Sequence, residues 1–314
     1  MKRKVLFIDT VHPALNFHLE QNGWECVDGS LWNREKIISE IKDYSGIVIR
    51  SRIKIDKDLL TAATALQFIA RAGAGMENID SKFAESLGVK CLNAPEGNRN
   101  AVAEHAMGLL LALLNKIVIA DKEVRSGIWL REQNRGIELE GKTVSIIGFG
   151  NTGSSLAKKL KGFDCRILTF DPYTTVNLNE FPNVEQVSME VIFQQTDILS
   201  LHVPLTEETT YLIQKNYINK FAKPFYLINT SRGKVVSTSD LVYGMETRKI
   251  TGAALDVLEF ESLSFENLSQ EQLPESFSKL LTFENIILSP HIAGWTFESH
   301  RKISEVLFDK INSL

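Results

Sequence analysis

Short apolar runs recur along the chain, each closing on polar or turn residues, with amphipathic stretches between them. In the first third they are KVLFID, YSGIVIRS, LQFIARAG and GVKCLNAP, separated by helix-like segments such as REKIISEIKD. Runs of this kind alternating with helices predict parallel strands, because crossover helices bury such a sheet on both faces. From about Asn100 to Ser126 the pattern changes. AVAEHAMGLLLALLNKIVIADKEVRSG carries apolar residues on more than one face and predicts one long, widely buried helix, serving as a core, interdomain or intersubunit element. After ELEGK the alternation resumes with TVSIIGFG, CRILTFD, DILSLHVP, PFYLINTS, TGAALDV and NIILSPH. The expected class is α/β, with two doubly wound parallel-sheet domains. The Ser/Glu-rich stretch from Glu259 to Lys279 is weakly patterned and reads as a surface insertion.

At 314 residues the chain is long enough for two cores, and 44% hydrophobic with 24% charged residues fits a globular protein. Lys plus Arg number 35 against 39 Asp plus Glu, so the formal charge of −4 lacks the basic excess that nucleic-acid binding requires. Small anions are not excluded by this balance. The apolar stretch Val5 to Ile8 ends at Asp9, too short for a signal peptide core, and the run Ala106 to Leu114 is far short of the ~20 residues a membrane span needs. No membrane partner is expected. Cys26, Cys91 and Cys165 are scattered and odd in number, which indicates neither a disulfide framework nor a metal site and fits a reducing cytoplasm.

The turn after TVSII reads Gly148-Phe149-Gly150-Asn151-Thr152-Gly153 and runs into a helix-like segment. In that setting Gly148 permits the tight turn, Gly150 lets backbone approach a pyrophosphate, and Gly153 lets helix and strand pack closely. The next strand ends at Asp171, near the spacing at which a carboxylate accepts ribose hydroxyls. A carboxylate repels a 2′-phosphate, and Pro-Tyr-Thr-Thr after it supplies no Arg, so NAD is the expected cofactor.

Three further charges follow apolar strands: Arg232 in INTSRGKVV, Glu261 after AALDVLEFE, and His291 in ILSPHIAGW. Doubly wound sheets place ligands at the carboxyl ends of their strands, so the three can converge. Oxidising a secondary alcohol requires removing the hydroxyl proton as hydride leaves, which suits His291 as base. Glu261 would fix its tautomer, with Glu259 as the rival for that role, and Arg232 would hold a substrate carboxylate bidentately.

The motifs RAGAGMENID, NAPEGNRNAVAEH, GFGNTG with Asp171, HVPLTEETT, NTSRG, GAALDV and SPHIAG occur in this order, and on them the chain resembles the D-isomer-specific 2-hydroxyacid dehydrogenases. The resemblance implies a Rossmann NAD-binding domain over 100–290 inserted in a flavodoxin-like substrate domain made of 1–99 and 291–314. It also implies a cleft that closes by hinge motion, and a homodimer. It makes Arg232, Glu261 and His291 catalytic, puts Asp256 beside the nicotinamide carboxamide, and lines NAD with Ala74, Asn151, Thr152, Val203, Thr230 and Gly294. IVIRS and RAGAG are most similar to D-3-phosphoglycerate dehydrogenases, which implies that Arg50, Ser51, Arg71 and Arg131 surround a phosphorylated hydroxyacid. Backbone at Ala74 and Gly75 would take the substrate carboxylate.

Two departures stand out: Asn151-Thr152 where family members carry Arg-Ile, and Ser262 where Pro follows the catalytic Glu. Because the chain ends soon after His291, the regulatory domain of many phosphoglycerate dehydrogenases is not expected. Glyoxylate or hydroxypyruvate reduction is the alternative activity. An NAD-sensing protein similar to the C-terminal-binding corepressors is the alternative of a different class.

Overall fold

The structure, a computed structural model, describes residues 3–261 and 274–314. Its contacts divide the chain into two units, one of residues 3–99 with 295–314, the other of residues 100–261 with 274–294.

The first unit holds β1 (Arg3–Phe7), β2 (Trp24–Asp28), β3 (Gly46–Ile49), β4 (Phe68–Arg71) and β5 (Lys90–Asn93). They pair in parallel in the order β2-β1-β3-β4-β5, so the order reverses between β1 and β3. Successive strand residues point to opposite faces, and β1 displays this directly. Val5 and Phe7 join Leu15, Leu19, Ile303 and Leu307 in one core, whereas Leu6 and Ile8 join Ile37, Leu59 and Ala84 in the other. Burying each such aliphatic side chain contributes about 1.5–3 kcal/mol, and two-sided burial explains why these strands read as unbroken apolar runs.

The second unit holds β6 (Thr143–Ile147), β7 (Arg166–Phe170), β8 (Val184–Gln186), β9 (Ile198–Leu201), β10 (Phe225–Asn229), β11 (Ile250–Leu255) and β12 (Ile286–Leu288). Their order is β12-β11-β10-β9-β6-β7-β8, again parallel, with the reversal between β6 and β9. Two parallel doubly wound sheets are thus present, as the alternation predicts. β2 and β8 were not among the predicted runs, since WECVD and VEQ are too polar to stand out.

The segment expected to form one helix from Asn100 to Ser126 is two helices, Pro95–Leu114 and Ile117–Arg125, bent by 62°. Lys116 at the break is left-handed, with φ 53°, and the Leu114 carbonyl accepts the N–H of Ile137 at 3.1 Å instead of one from a continuing helix. That contact is tertiary and leaves no mark on the apolar pattern. No single helix among the described residues is long and apolar enough to cross a membrane. The stretch Glu259 to Lys279 also needs correction. Part of it, 262–273, lies outside the described residues, but Glu275–Leu280 is a helix whose Phe277 and Leu280 are buried in the core of the second unit.

Candidate active site

The Gly148–Gly153 turn joins β6 to the helix Asn151–Leu160 where the strand order of the second sheet reverses. Gly148 has φ +89°, and a Cβ there would meet the His202 carbonyl oxygen at 2.5 Å. A Cβ on Gly153 would sit 2.1 Å from the Gly148 oxygen, so helix and strand touch backbone to backbone. Among the described residues, a Cβ at Gly150 would meet nothing within 4 Å, and no side chain caps the helix that starts there. The helix N-terminus therefore keeps its N–H groups and partial positive charge for an anion.

Asp171 directly follows β7, and its carboxylate accepts the N–H groups of Phe149 at 2.6 Å, Tyr173 at 2.8 Å and Thr174 at 3.0 Å. Of about four acceptor sites on a carboxylate, one is left for a ribose hydroxyl. Thr230, just past β10, is buried with an Oγ1 that has no hydrogen-bond partner among the described residues. Open space at Gly150, an uncapped helix, Asp171 and an orphaned hydroxyl together fit a dinucleotide.

Thr152 takes part through its hydroxyl in a different bond, to Nδ1 of His202 at 3.1 Å, while His202 Nε2 meets Ser200 Oγ at 2.8 Å. Burial pushes the His202 pKa down to about 4, so the ring is neutral. Val203 follows, with Cγ1 3.1 Å from the position of a Gly148 Cβ. His202 was not singled out in the sequence, although it directly follows β9 and is subject to the same strand-end rule as the charged residues.

Arg232, Glu261 and His291 follow the adjacent strands β10, β11 and β12. Buried Asn229 shapes the turn bearing Arg232: its Oδ1 accepts from Ser231 N at 3.0 Å, and its Nδ2 donates to the Arg232 carbonyl at 3.0 Å. Gly233 lets this turn close on the next one, since a Cβ there would lie 1.9 Å from the Leu258 oxygen. Glu261 accepts the Leu258 N–H through Oε1, and its Oε2 lies 2.6 Å from His291 Nδ1. Glu259 points elsewhere, accepting from the Tyr211 hydroxyl at 2.9 Å and the Thr238 N–H at 2.8 Å. The carboxylate paired with His291 is Glu261.

His291 is itself left-handed, with φ 56°. Asp256 stabilises that conformation from both its ends. Its carbonyl accepts the His291 N–H at 2.7 Å, and its carboxylate accepts the N–H groups of Ile292 at 2.9 Å and Ala293 at 2.7 Å. Burial opposes ionisation of this carboxyl. Hydrogen bonds from His105, Ser289, Ala293 and Ile292 outweigh it and hold the pKa below the usual carboxylate range. Residues 291–294 belong to the second unit. His105, in the Pro95–Leu114 helix and 3.0 Å from Ser289 Oγ, is a supporting residue that no local sequence signal marks.

In the first unit, Arg50 and Ser51 follow β3, and their backbone N–H groups meet the Asp9 carboxylate at 2.6 and 3.0 Å. Arg71 ends β4 and packs on its own loop, where a Cβ on Gly73 would lie 1.6 Å from its Nη1. Ala74 offers its carbonyl to Asn93 Nδ2 at 2.6 Å, and Gly75 is buried. Arg131, in the second unit, is exposed.

Residues 107–293 match the sequence model of the D-isomer specific 2-hydroxyacid dehydrogenase NAD-binding domain. The chain is 34% identical over 308 residues to a D-3-phosphoglycerate dehydrogenase of Archaeoglobus fulgidus, covering 98% of this chain but 56% of that one, so it spans little more than half of that relative. It is 37% identical to a glyoxylate reductase of Thermofilum pendens, over 87% of this chain and 79% of that one. Among solved structures, D-lactate dehydrogenase from Aquifex aeolicus, complexed with NAD and lactic acid, superposes with a TM-score of 0.82 at 26% identity, covering 99% of this chain and 95% of that one. With its glycine turn, Asp171 and the strand-end Arg, Glu and His in place, the chain belongs to the D-isomer specific 2-hydroxyacid dehydrogenases.

Proposed function

We propose that the protein is an NAD-dependent dehydrogenase that interconverts a D-2-hydroxyacid and its 2-oxoacid, with D-3-phosphoglycerate as substrate. The observation that carries the reaction is the 2.6 Å pair of His291 Nδ1 with Glu261, on a loop that Asp256 fixes. When bound, NAD supplies the two-electron acceptor for hydride leaving C2. His291 donates Nδ1–H to Glu261, which sets the tautomer and turns Nε2 into the acceptor for the C2 hydroxyl proton. Glu261 stabilises the imidazolium that results. Arg232 binds the substrate carboxylate bidentately and polarises the oxygen at C2 in the reverse direction. Asn151, Thr152 and Gly153 offer first-turn N–H groups to the pyrophosphate; Ala74, Val203, Thr230, Asp256 and Gly294 complete the proposed cofactor set.

A phosphorylated substrate is supported by the resemblance, which puts Arg50, Arg71 and Arg131 around it, and by the name of the Archaeoglobus relative. The Thermofilum relative supports glyoxylate or hydroxypyruvate reduction as the alternative. Exposed Ile117, Val118, Val124, Ile128, Trp129 and Leu130 form an apolar series that favours a homodimer.

Turnover of purified protein with NADH and phosphohydroxypyruvate, hydroxypyruvate or glyoxylate, followed by the absorbance of reduced nicotinamide, tests the reading. A preference for the phosphorylated acid is expected, and His291→Ala should lower kcat by about a hundredfold to ten-thousandfold. No hydride transfer with any of the three rejects the reaction. Equal activity on all three rejects the phosphorylated substrate alone.

A further inference from the structure

Thr296 caps the helix Phe297–Asn312 by accepting the Ser299 N–H at 3.0 Å, while the Ser299 hydroxyl accepts the Thr296 N–H at 3.0 Å. A reciprocal cap fixes how the chain enters the helix, and the residue before the cap then packs on the one four positions into it. Those positions are Trp295 and His300, whose ring centroids lie 5.5 Å apart. His300 in turn meets His12 edge-on at 5.5 Å, and its buried Nε2 has no hydrogen-bond partner among the described residues. This arrangement packs one side of a tryptophan that is 55% exposed.

The Arg50 guanidinium lies over Trp295, with Cζ 4.2 Å from the ring centroid. It enters no salt bridge among the described residues. The other end of Arg50 is fixed as well, because buried Asp9, just past β1, accepts three successive N–H groups, from Arg50, Ser51 and Arg52 at 2.6, 3.0 and 3.3 Å. The cation thus has its backbone anchored and one face covered, and no described residue takes its N–H edge.

We propose that Trp295 is a positioning residue for substrate recognition, holding Arg50 so that its N–H edge takes the phosphate of a phosphorylated hydroxyacid. This deepens the function proposed above and rests on it. A guanidinium is weakly hydrated on its face and directional at its edge, so stacking leaves its bidentate donors aimed rather than averaged over rotamers. His300 contributes as a neutral prop. Burial, with His12 and Arg50 beside it, lowers its pKa and spares Arg50 a like charge.

The test is binding of D-3-phosphoglycerate to the full chain by calorimetry, which does not require turnover. Trp295→Ala should raise Kd about three- to tenfold, as expected for losing a cation–π contact at a partly exposed site, and Trp295→Phe should bring it back within about twofold. The double variant Trp295→Ala, Arg50→Ala should bind no more weakly than Arg50→Ala, because the indole acts through the arginine. Ligand should also change the indole emission of the wild type, and this change should shrink in Trp295→Phe although affinity is kept.

The proposal is overturned if Trp295→Ala binds as wild type does or if the two losses add. A wild type that binds phosphoglycerate but transfers no hydride would refute the reaction and leave the Trp295 role standing. One that oxidises or reduces hydroxyacids but does not bind phosphoglycerate would do the reverse.

Discussion

The two sheets reverse their strand order at equivalent places, between β1 and β3 in one unit and between β6 and β9 in the other, and they finish those crevices with opposite chemistry. At the first, consecutive backbone N–H groups are filled by a carboxylate of the chain itself, Asp9, and the charge displayed outward is the Arg50 side chain. At the second, glycines clear the backbone, no side chain caps the helix, and the N–H groups await an external anion. Topology supplies the crevice in both. A single acidic residue in one and three glycines in the other decide whether a ligand meets a side chain or the main chain.

The largest effect on this contrast is expected from Gly153→Ala, which sets a methyl 2.1 Å from a carbonyl oxygen that cannot turn away. It should cost about 3 kcal/mol in urea denaturation through overpacking and weaken NAD binding as well. Retention of both would mean that the helix does not need its close approach to β6. Next, Asp9→Ala removes charge-assisted bonds from three N–H groups and should cost about 2 kcal/mol while leaving NAD affinity intact. If NAD affinity falls instead, the two crevices are not independent in the way their chemistry indicates.

A third effect depends on pH. His202 stays neutral to about pH 4 when folded, whereas in the unfolded chain it takes up a proton near pH 6.5. Its stability contribution is therefore complete well above pH 6.5 and is lost as pH falls toward 4, with about 2 kcal/mol gone by pH 5. His202→Asn should flatten that part of the stability profile measured by denaturation at the two pH values. An unchanged slope would place the proton uptake elsewhere. The smallest effect is expected from Gly150→Ala, which has open space for its methyl and an ordinary φ of −77°. Stability should stay within about 0.5 kcal/mol while NAD affinity drops roughly tenfold, as the pyrophosphate needs the approach a methyl obstructs.

The second crevice was the more legible of the two in the amino-acid sequence. A strand, a glycine turn and a carboxylate at fixed spacing lie within one short segment, so local chemistry sufficed, as it did for placing Arg232, Glu261 and His291 at strand ends. The choice between Glu259 and Glu261 was beyond it, because two residues' difference in a turn reverses which carboxylate faces the histidine. The Asp9 carboxylate meets N–H groups more than forty positions away and carries no motif of its own. The break at Lys116 was hidden for a similar reason: its cause is the Ile137 N–H bonded to the Leu114 carbonyl, while the apolar pattern runs on unchanged. Phe277 and Leu280 are the only apolar residues of the six-residue helix Glu275–Leu280, too short a run to reveal a core helix.

The left-handed backbone of His291 has a consequence for anyone breeding hardier versions of the protein. An ordinary L-residue in that region costs about 1–2 kcal/mol, which glycine or asparagine largely escapes. Variants chosen solely for survival at high temperature should therefore accumulate Gly or Asn at 291, and if His291 is the base proposed above, the survivors would be robust proteins that no longer turn over. On that proposal a screen has to select for turnover at every round, because heat tolerance and the proposed activity pull in opposite directions at this position.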